Sequence, residues 1–472
     1  MHRVFVWIVF VYACMFASPW LSFGEEGQAV VLEGRLNALF PRNAFWTLEV
    51  VDVASESNII SIGNAKDRPL APGSLVKLIT TGAVLDYAAR QGGFDMTTTI
   101  FHDGSISDNR ITGNLYLVGR GNALLSTGDI QLAVAQLSRK GIKRIDGDIV
   151  ADDTYFEATG LERIRKGAGY APPCALGMDL HTAAVYVLPT KAGNPPDVRI
   201  EPQNAGVKFS VSARTVSQMH VSSIEITQID DTSYSITGNI PEGGGVFKKR
   251  FSLKDPALYA AGTLKALLAK VGISVSGRIL KGKTPSHAKV LAEIKCQEIS
   301  ELLRDMNVNS LNVVADNLML LLGGEKFGAP GTWEKGLRAV REFLSMLGFS
   351  RDADVTIADG SGLSEADRVT SRFMARFLQK ISKHPWFTQF EGSLPVAGVD
   401  GTLKDIGFTD SRFRAKTGKL ENAFGLAGYG INNKTGKKIA FSYIVNIPGA
   451  DVMGIDKTGA EVMRYLASEG VQ

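Results

Sequence analysis

Ser74 and Lys77 stand three residues apart in Pro72-Gly73-Ser74-Leu75-Val76-Lys77, at the head of an apolar run that reaches about residue 90. Pro72 and Gly73 break what precedes them, and the run reads as a helix. Residues three apart on a helix share a face, so this spacing sets a hydroxyl beside an amine at a helix start. The positive end of the helix dipole and the free backbone N–H groups favour negative charge there. A lysine one turn on, once desolvated, is neutral and can take the serine proton. The chemistry implied is attack by a serine activated without histidine.

Ser-x-x-Lys is a weak signal alone, and it recurs at Ser286 and Lys289 after Pro285. What singles out Ser74 is company downstream: Ser310-Leu311-Asn312, then Lys416-Thr417-Gly418. Each has a decoy. Lys434-Thr435-Gly436 follows Asn432-Asn433 between two alternating runs and reads as a hairpin turn. Ser107-Asp108-Asn109 sits in a polar loop.

Elements must position these groups. At 472 residues the chain is long enough for two or three domains. Before Ser74, the stretch 29–53 alternates, with a strand at 46–51 and a partner at 58–62. Strands are expected at 111–118 and at 147–153, the latter ending in Asp152-Asp153, with a helix at 128–140 between them. Residues 197–253 are short alternating runs split by turn residues, a β-rich module. Asp255-Pro256 caps a helix over 257–270, and a strand follows at 274–280. Helices are expected at 300–307, 310–322, 336–347 and 371–382. Three consecutive antiparallel strands cover 413–417, 425–431 and 438–446, and a helix covers 459–468.

Composition bounds the function. Residues 1–24 read as a secretory signal, with His2 and Arg3 as its charged head, an apolar stretch over 4–17 and small residues before Glu25. The formal net charge of +4 falls to +3 without Arg3, which gives no hint of nucleic-acid binding. Cys14 leaves with the signal, and Cys174 and Cys296 do not make a disulfide scaffold. No Cys/His ligand cluster supports a metal, and no cofactor is expected. The six histidines are scattered, and no Gly-x-Ser-x-Gly favours a Ser-His-Asp triad.

The three motifs together are those of the penicilloyl-serine transferases. Their surroundings resemble the class C low-molecular-mass penicillin-binding proteins, serine D-alanyl-D-alanine carboxypeptidases and endopeptidases. The stretches that carry the resemblance are 72–77, Ser310 to Asp316, Asp359-Gly360-Ser361-Gly362-Leu363-Ser364, 394–403, and Ala415 to Gly418 with Leu426 to Tyr429. It spans nearly all of the chain after residue 24, except the β-rich module. It implies an α/β (α+β) transpeptidase-type domain, an antiparallel sheet flanked by helices, over 25–90 and 290–472. It also implies an inserted domain over 91–196 and 254–289, with the module at 197–253 nested inside it.

Carried over by position, the resemblance makes Ser74 the acylated nucleophile, Lys77 its base and Ser310 a proton relay to the leaving amine. Asn312 would hold the amide of the acyl side chain, and Lys416 with Thr417 the terminal carboxylate. Gly418 would let the edge strand approach the substrate, and the N–H groups of Ser74 and Lys419 would form the oxyanion hole. Lys416 is expected to depress the pKa of Lys77 by like-charge repulsion. Lys419 stands where the family usually has serine or threonine, and Glu365 where it often has arginine. Asp153, ahead of Asp152, is the acid the resemblance would set on the amine of a stem-peptide diamino acid. Its ordinary alternative is a turn-forming carboxylate. The implied partners are peptidoglycan stem peptides ending in D-Ala-D-Ala, diaminopimelate crosslinks and inhibitory β-lactams. The implied setting is the periplasm or cell envelope, at the wall or the membrane periphery. A serine β-lactamase and a non-hydrolytic penicillin-binding sensor remain competing readings. A deacylation base from a Glu-x-x-Leu-Asn stretch is not expected here.

Overall fold

The computed structural model describes residues 25–157, 170–230, 232–349, 353–449 and 454–468. The signal read over 1–24 lies outside them. No helix among the described residues is long and apolar enough to cross a membrane.

A six-stranded antiparallel sheet organises the two ends of the chain. Its strand order is Asn58–Ile62, Phe45–Asp52, Lys438–Asn446, Ala423–Ile431, Asp410–Leu420 and Val396–Ala397. The last three long strands are consecutive hairpin partners, as their alternation requires. Their residues split between two cores. Phe413, Ala415, Leu426 and Phe441 face one core, closed by the helices Glu25–Leu39 and Asp456–Ser468. Ala427, Tyr429, Ala440 and Ile444 face the other, which holds the helices Val76–Gln91, Asn312–Phe327, Trp333–Met346 and Ser371–Ile381. With both faces covered, Ala423–Ile431 is buried along nearly all its length.

Three sequence expectations need correction. The stretch read as alternating from residue 29 is the helix Glu25–Leu39, whose Leu32 and Leu36 share a face by their spacing of four. The strand expected over 111–118 is two short ones, Arg110–Ile111 and Leu115–Val118, in different sheets. Gly113 lies between them, so close to Asp103 and Gly104 that a side chain has no room there. The strand expected over 274–280 is likewise split, into Ser274–Val275 and Ile279–Lys281.

Between the helices Val76–Gln91 and Ile299–Val308, the chain builds two further cores. One sits under a five-stranded sheet and the helices Thr127–Arg139 and Pro256–Lys270, each started by the side chain expected of a cap, Ser126 and Asp255. The other gathers the short strands from Thr182 to Ser252. Thr182–Leu188 lies upstream of residue 197 yet pairs with both Asp197–Glu201 and Phe247–Ser252. Cys174 and Cys296 are both free thiols.

Candidate active site

The serine sits on a single 3-10 turn, Gly73–Leu75, that runs straight into the helix Val76–Gln91. Two backbone segments converge on this turn. Gly418, in the strand Asp410–Leu420, has no room for a side chain: a Cβ would strike the Pro72 carbonyl and lie 3.1 Å from Ser74 N. Gly362 holds φ +85° against the Gly73 carbonyl. A Cβ on Gly73 would lie 3.1 Å from Lys419 N, so the backbone nitrogens of Ser74 and Lys419 belong to one small region.

Lys77 is wholly buried beneath the serine. Its Nζ lies 2.9 Å from Ser74 Oγ, 2.7 Å from Asn312 Oδ1 and 2.7 Å from the Ser361 carbonyl oxygen. Lys416, also wholly buried, places its Nζ 3.0 Å from Ser310 Oγ and 2.8 Å from the Thr417 carbonyl oxygen. Thr417 Oγ1 bonds to Thr402 Oγ1 at 2.8 Å. Ser310 does not open the next helix, as the apolar pattern suggested. It holds φ +55° between Ile299–Val308 and Asn312–Phe327. A non-glycine residue in that region costs about 1–2 kcal/mol. The turn brings Ser310 to Lys416 while Asn312, at the first helical position, meets Lys77.

Seven of the expected residues therefore share one site: Ser74, Lys77, Ser310, Asn312, Lys416, Gly418 and the backbone of Lys419. Thr417 flanks it. Asp153 stands apart from these contacts. Its carboxylate is 2.7 Å from Lys281 Nζ, which also lies 3.3 Å from Asp255, and Cys174 Sγ reaches it at 3.6 Å. Asp152 is committed to its neighbours, accepting from Thr154 N, Thr154 Oγ1 and Thr284 N.

Burial lowers the Lys77 amine to about 8, against the pull of Asp316, Asp359 and Asp367. The Lys416 amine is held well below its ordinary value, first by burial and then by the charge of Lys77. The like-charge repulsion expected on Lys77 is thus expressed on Lys416. The three acids were not singled out by the sequence reading. Asp316 stands four residues after Asn312, on the same helix face, which is a readable signal. Asp359 opens a glycine-rich turn that the sequence shows, but Asp367 carries no local mark.

The decoys lie elsewhere. Ser107 belongs to the hairpin of Ile106–Ser107 and Arg110–Ile111, with Asp108 and Asn109 at positive φ. Lys434-Thr435-Gly436 turns between Ala423–Ile431 and Lys438–Asn446. Lys289 opens the strand Lys289–Ile294. A third occurrence, Lys457-Thr458-Gly459, lies in the helix Asp456–Ser468. Glu33-Gly34-Arg35-Leu36-Asn37 does form a Glu-x-x-Leu-Asn stretch, against expectation. Glu33 accepts from Gly63 N, Asn37 from Trp46 Nε1, and Leu36 lies in the core on the far side of the sheet from the serine helix. Among the described residues no group of three His, Cys, Asp or Glu side chains is placed to hold a metal.

The chain is similar to known proteins over most of its length. The D-Ala-D-Ala carboxypeptidase 3 (S13) family matches residues 32–465. A D-alanyl-D-alanine carboxypeptidase of Actinomadura sp. (strain R39) is 29% identical over 457 residues, 91% of this chain and 84% of the relative. D-alanyl-D-alanine carboxypeptidase DacB of Haemophilus influenzae is 27% identical over 391 residues, 77% of this chain and 78% of that one. In fold, the chain is similar to the crystal structure of penicillin binding protein 4 from Haemophilus influenzae. That match has a TM-score of 0.76 at 23% identity, covering 92% of this chain and 99% of the other.

Proposed function

The chain belongs to the D-Ala-D-Ala carboxypeptidase 3 (S13) family, and on that premise we propose that it is a serine D-Ala-D-Ala carboxypeptidase, with endopeptidase activity, acting on peptidoglycan stem peptides through an acyl-enzyme on Ser74. One distance carries the reading: a buried amine, Lys77 Nζ, lies 2.9 Å from Ser74 Oγ.

Neutral Lys77 takes the hydroxyl proton as Ser74 Oγ attacks the carbonyl of the penultimate D-alanine. The N–H groups of Ser74 and Lys419 receive the oxyanion, each worth about 3 kcal/mol by analogy with other acyl-transfer sites. Collapse breaks the C–N bond and leaves the acyl chain on Ser74. Ser310, in contact with Lys416, gives its hydroxyl proton to the departing amine and regains the one that Lys77 took, which leaves Lys77 neutral again. Lys416, with Thr417, faces the terminal carboxylate, whose charge restores the ammonium form. Asn312 holds the amide of the acyl side chain, and Gly418 lets the substrate backbone lie against the strand edge. Water then releases the acyl group. A β-lactam acylates the same serine and leaves slowly.

Asp153 binds a stem-peptide amine in this scheme only by exchanging it for Lys281. The division into a catalytic domain, 25–90 and 290–472, an insert, 91–196 and 254–289, and a nested module at 197–253 belongs to the same proposal. So does export through residues 1–24 to the cell envelope, where this substrate lies.

Digestion of a D-Ala-D-Ala pentapeptide beside a crosslinked muropeptide tests the reading. D-alanine release, a lasting fluorescent-penicillin adduct, and loss of both in folded Ser74→Ala are expected. Rapid turnover of the penicillin makes the protein a β-lactamase instead. Labelling without peptide hydrolysis makes it a sensor.

A further inference from the structure

The loop that follows Thr356 is built around buried acids. Asp359 is wholly buried, and its Oδ1 accepts from Ser361 N at 3.0 Å and Gly362 N at 2.6 Å. Its Oδ2 accepts from Ser364 N at 2.7 Å. Asp316 accepts from Gly360 N at 3.1 Å, and Asp367 from Ala358 N at 2.7 Å. Three carboxyl groups thus tie down one short loop. That loop turns the Ser361 carbonyl onto Lys77 Nζ at 2.7 Å, and its Gly360 carbonyl accepts from Thr80, one turn further along the serine helix.

The three acids are not equivalent. Both oxygens of Asp359 are occupied by N–H donors, the partners a carboxylate requires. By contrast, Asp316 Oδ2 and Asp367 Oδ2 are buried without a hydrogen-bond partner. A bare carboxylate oxygen there costs far more than the hydroxyl of a neutral acid, which has Asp359 beside Asp367 and Ser361 beside Asp316 to turn to. Burial and the neighbouring Asp359 push Asp316 well above the ordinary carboxyl range and Asp367 up to about 9.

We propose that Asp316, Asp359 and Asp367 form a buried positioning cluster with a single negative charge, on Asp359, that aims Lys77 at Ser74 and supplies its counter-charge during acylation. This rests on Lys77 being the base. In the step itself, the Ser74 O–H bond breaks and its proton joins the Lys77 lone pair as Oγ bonds to the carbonyl carbon. The cluster neither gives nor takes a proton. Lys77 becomes an ammonium ion facing one carboxylate through the Ser361 carbonyl, so a charge pair forms where a neutral amine stood. The other titratable groups around this amine are Lys416 from the edge strand and Tyr170, whose phenol is raised by burial and by Asp316 and Asp359. Neither carries negative charge at neutral pH.

The test is the pH profile of penicillin acylation, together with infrared spectroscopy of the unacylated protein. Asp359→Asn removes the charge that favours protonated Lys77. The rising limb is expected to move to lower pH by about one unit, with a plateau at least about tenfold lower. A purely structural role for Asp359 lowers the plateau without moving the limb, and that result overturns the proposal. Asp367→Asn and Asp316→Asn replace neutral groups and leave the limb in place. A downward shift in either as large as that of Asp359→Asn also overturns it. Should Asp359→Asn fail to fold, the wild-type infrared spectrum at neutral pH still decides. Protonated-carboxyl C=O bands, lost in Asp316→Asn and Asp367→Asn, are expected, and their absence refutes the cluster. A pH-independent acylation rate with those bands present would instead remove Lys77 as the base.

Discussion

At the level of single residues, the proposed mechanism gives two buried lysines different work. A free lysine has a pKa of about 10.4, too high for a base at neutral pH. Burial brings Lys77 down to about 8. Below that value the amine is protonated and cannot take the serine proton; above it the amine is free. Acylation is therefore expected to rise about tenfold per pH unit below 8 and to level off above it. Lys77→Arg leaves a guanidinium that stays charged throughout, so acylation should fall by at least about 100-fold, the scale of general-base catalysis. Lys416→Arg keeps a cation for the substrate carboxylate and should cost only about tenfold. Acylation rates of the wild type and both variants across mildly acidic to alkaline pH check all three. An active Lys77→Arg protein, or a flat wild-type profile, would hand the base role to Ser310 or a water.

At the level of elements, the helix Asn312–Phe327 is the joint between the site and the proposed insert. Asn312 and Asp316, four residues apart, face the serine helix and the acid-bound loop. Asn317 turns the other way. Its Nδ2 donates to the carbonyl oxygens of Gly121 and Cys174, both at 3.0 Å, and its Oδ1 accepts from Cys174 N at 3.1 Å. All of these contacts are buried. Asn317→Ala leaves three backbone groups without partners, and each buried orphan costs about 1–3 kcal/mol. Water entering the space offsets part of that. We expect a net loss of about 3 kcal/mol in denaturant unfolding. A loss below about 1 kcal/mol would mean that packing, with Arg120 and Tyr155 on Glu325 of the same helix, makes the joint without Asn317.

At the level of the whole molecule, the strands from Thr182 to Ser252 hang from two neighbouring residues. Leu253 N donates to the His181 carbonyl oxygen at 2.9 Å, so the chain leaves the β-rich module where it entered. The module boundary that matters for excision is therefore 182–252. Cutting at 197 would strip the partners from Thr182–Leu188, which sits at the centre of its three-stranded sheet. Tyr259 also loses cover, since its hydroxyl donates to the Pro202 carbonyl. A chain joined from His181 to Leu253, carrying Tyr259→Ser, is expected to melt cooperatively and to hydrolyse a small D-Ala-D-Ala peptide within about threefold of the wild type. Loss of that turnover in a cooperatively folded variant would place the module in catalysis itself.

Much of this was fixed locally. The family, the mixed α/β class, the three consecutive strands of the central sheet and the capped helices Thr127–Arg139 and Pro256–Lys270 all follow from short-range patterns. Spacing and turn residues separate Ser74, Ser310 and Lys416 from most of their decoys, because hairpin turns and helix starts are written in neighbouring residues. The helix Glu25–Leu39 was missed because its apolar residues mimic an alternating run until a sheet is there to receive one face. What only the tertiary structure decided is which partner each group meets. Nothing near Ser310 announces a positive φ or a bond to Lys416, 106 residues away. Nothing near Asp153 announces Lys281. The state of Lys77 depends on burial and on the charge of Asp359, brought to it by the loop after Thr356. Solvent exclusion and charge proximity are properties of the packed molecule, and no stretch of sequence carries them alone.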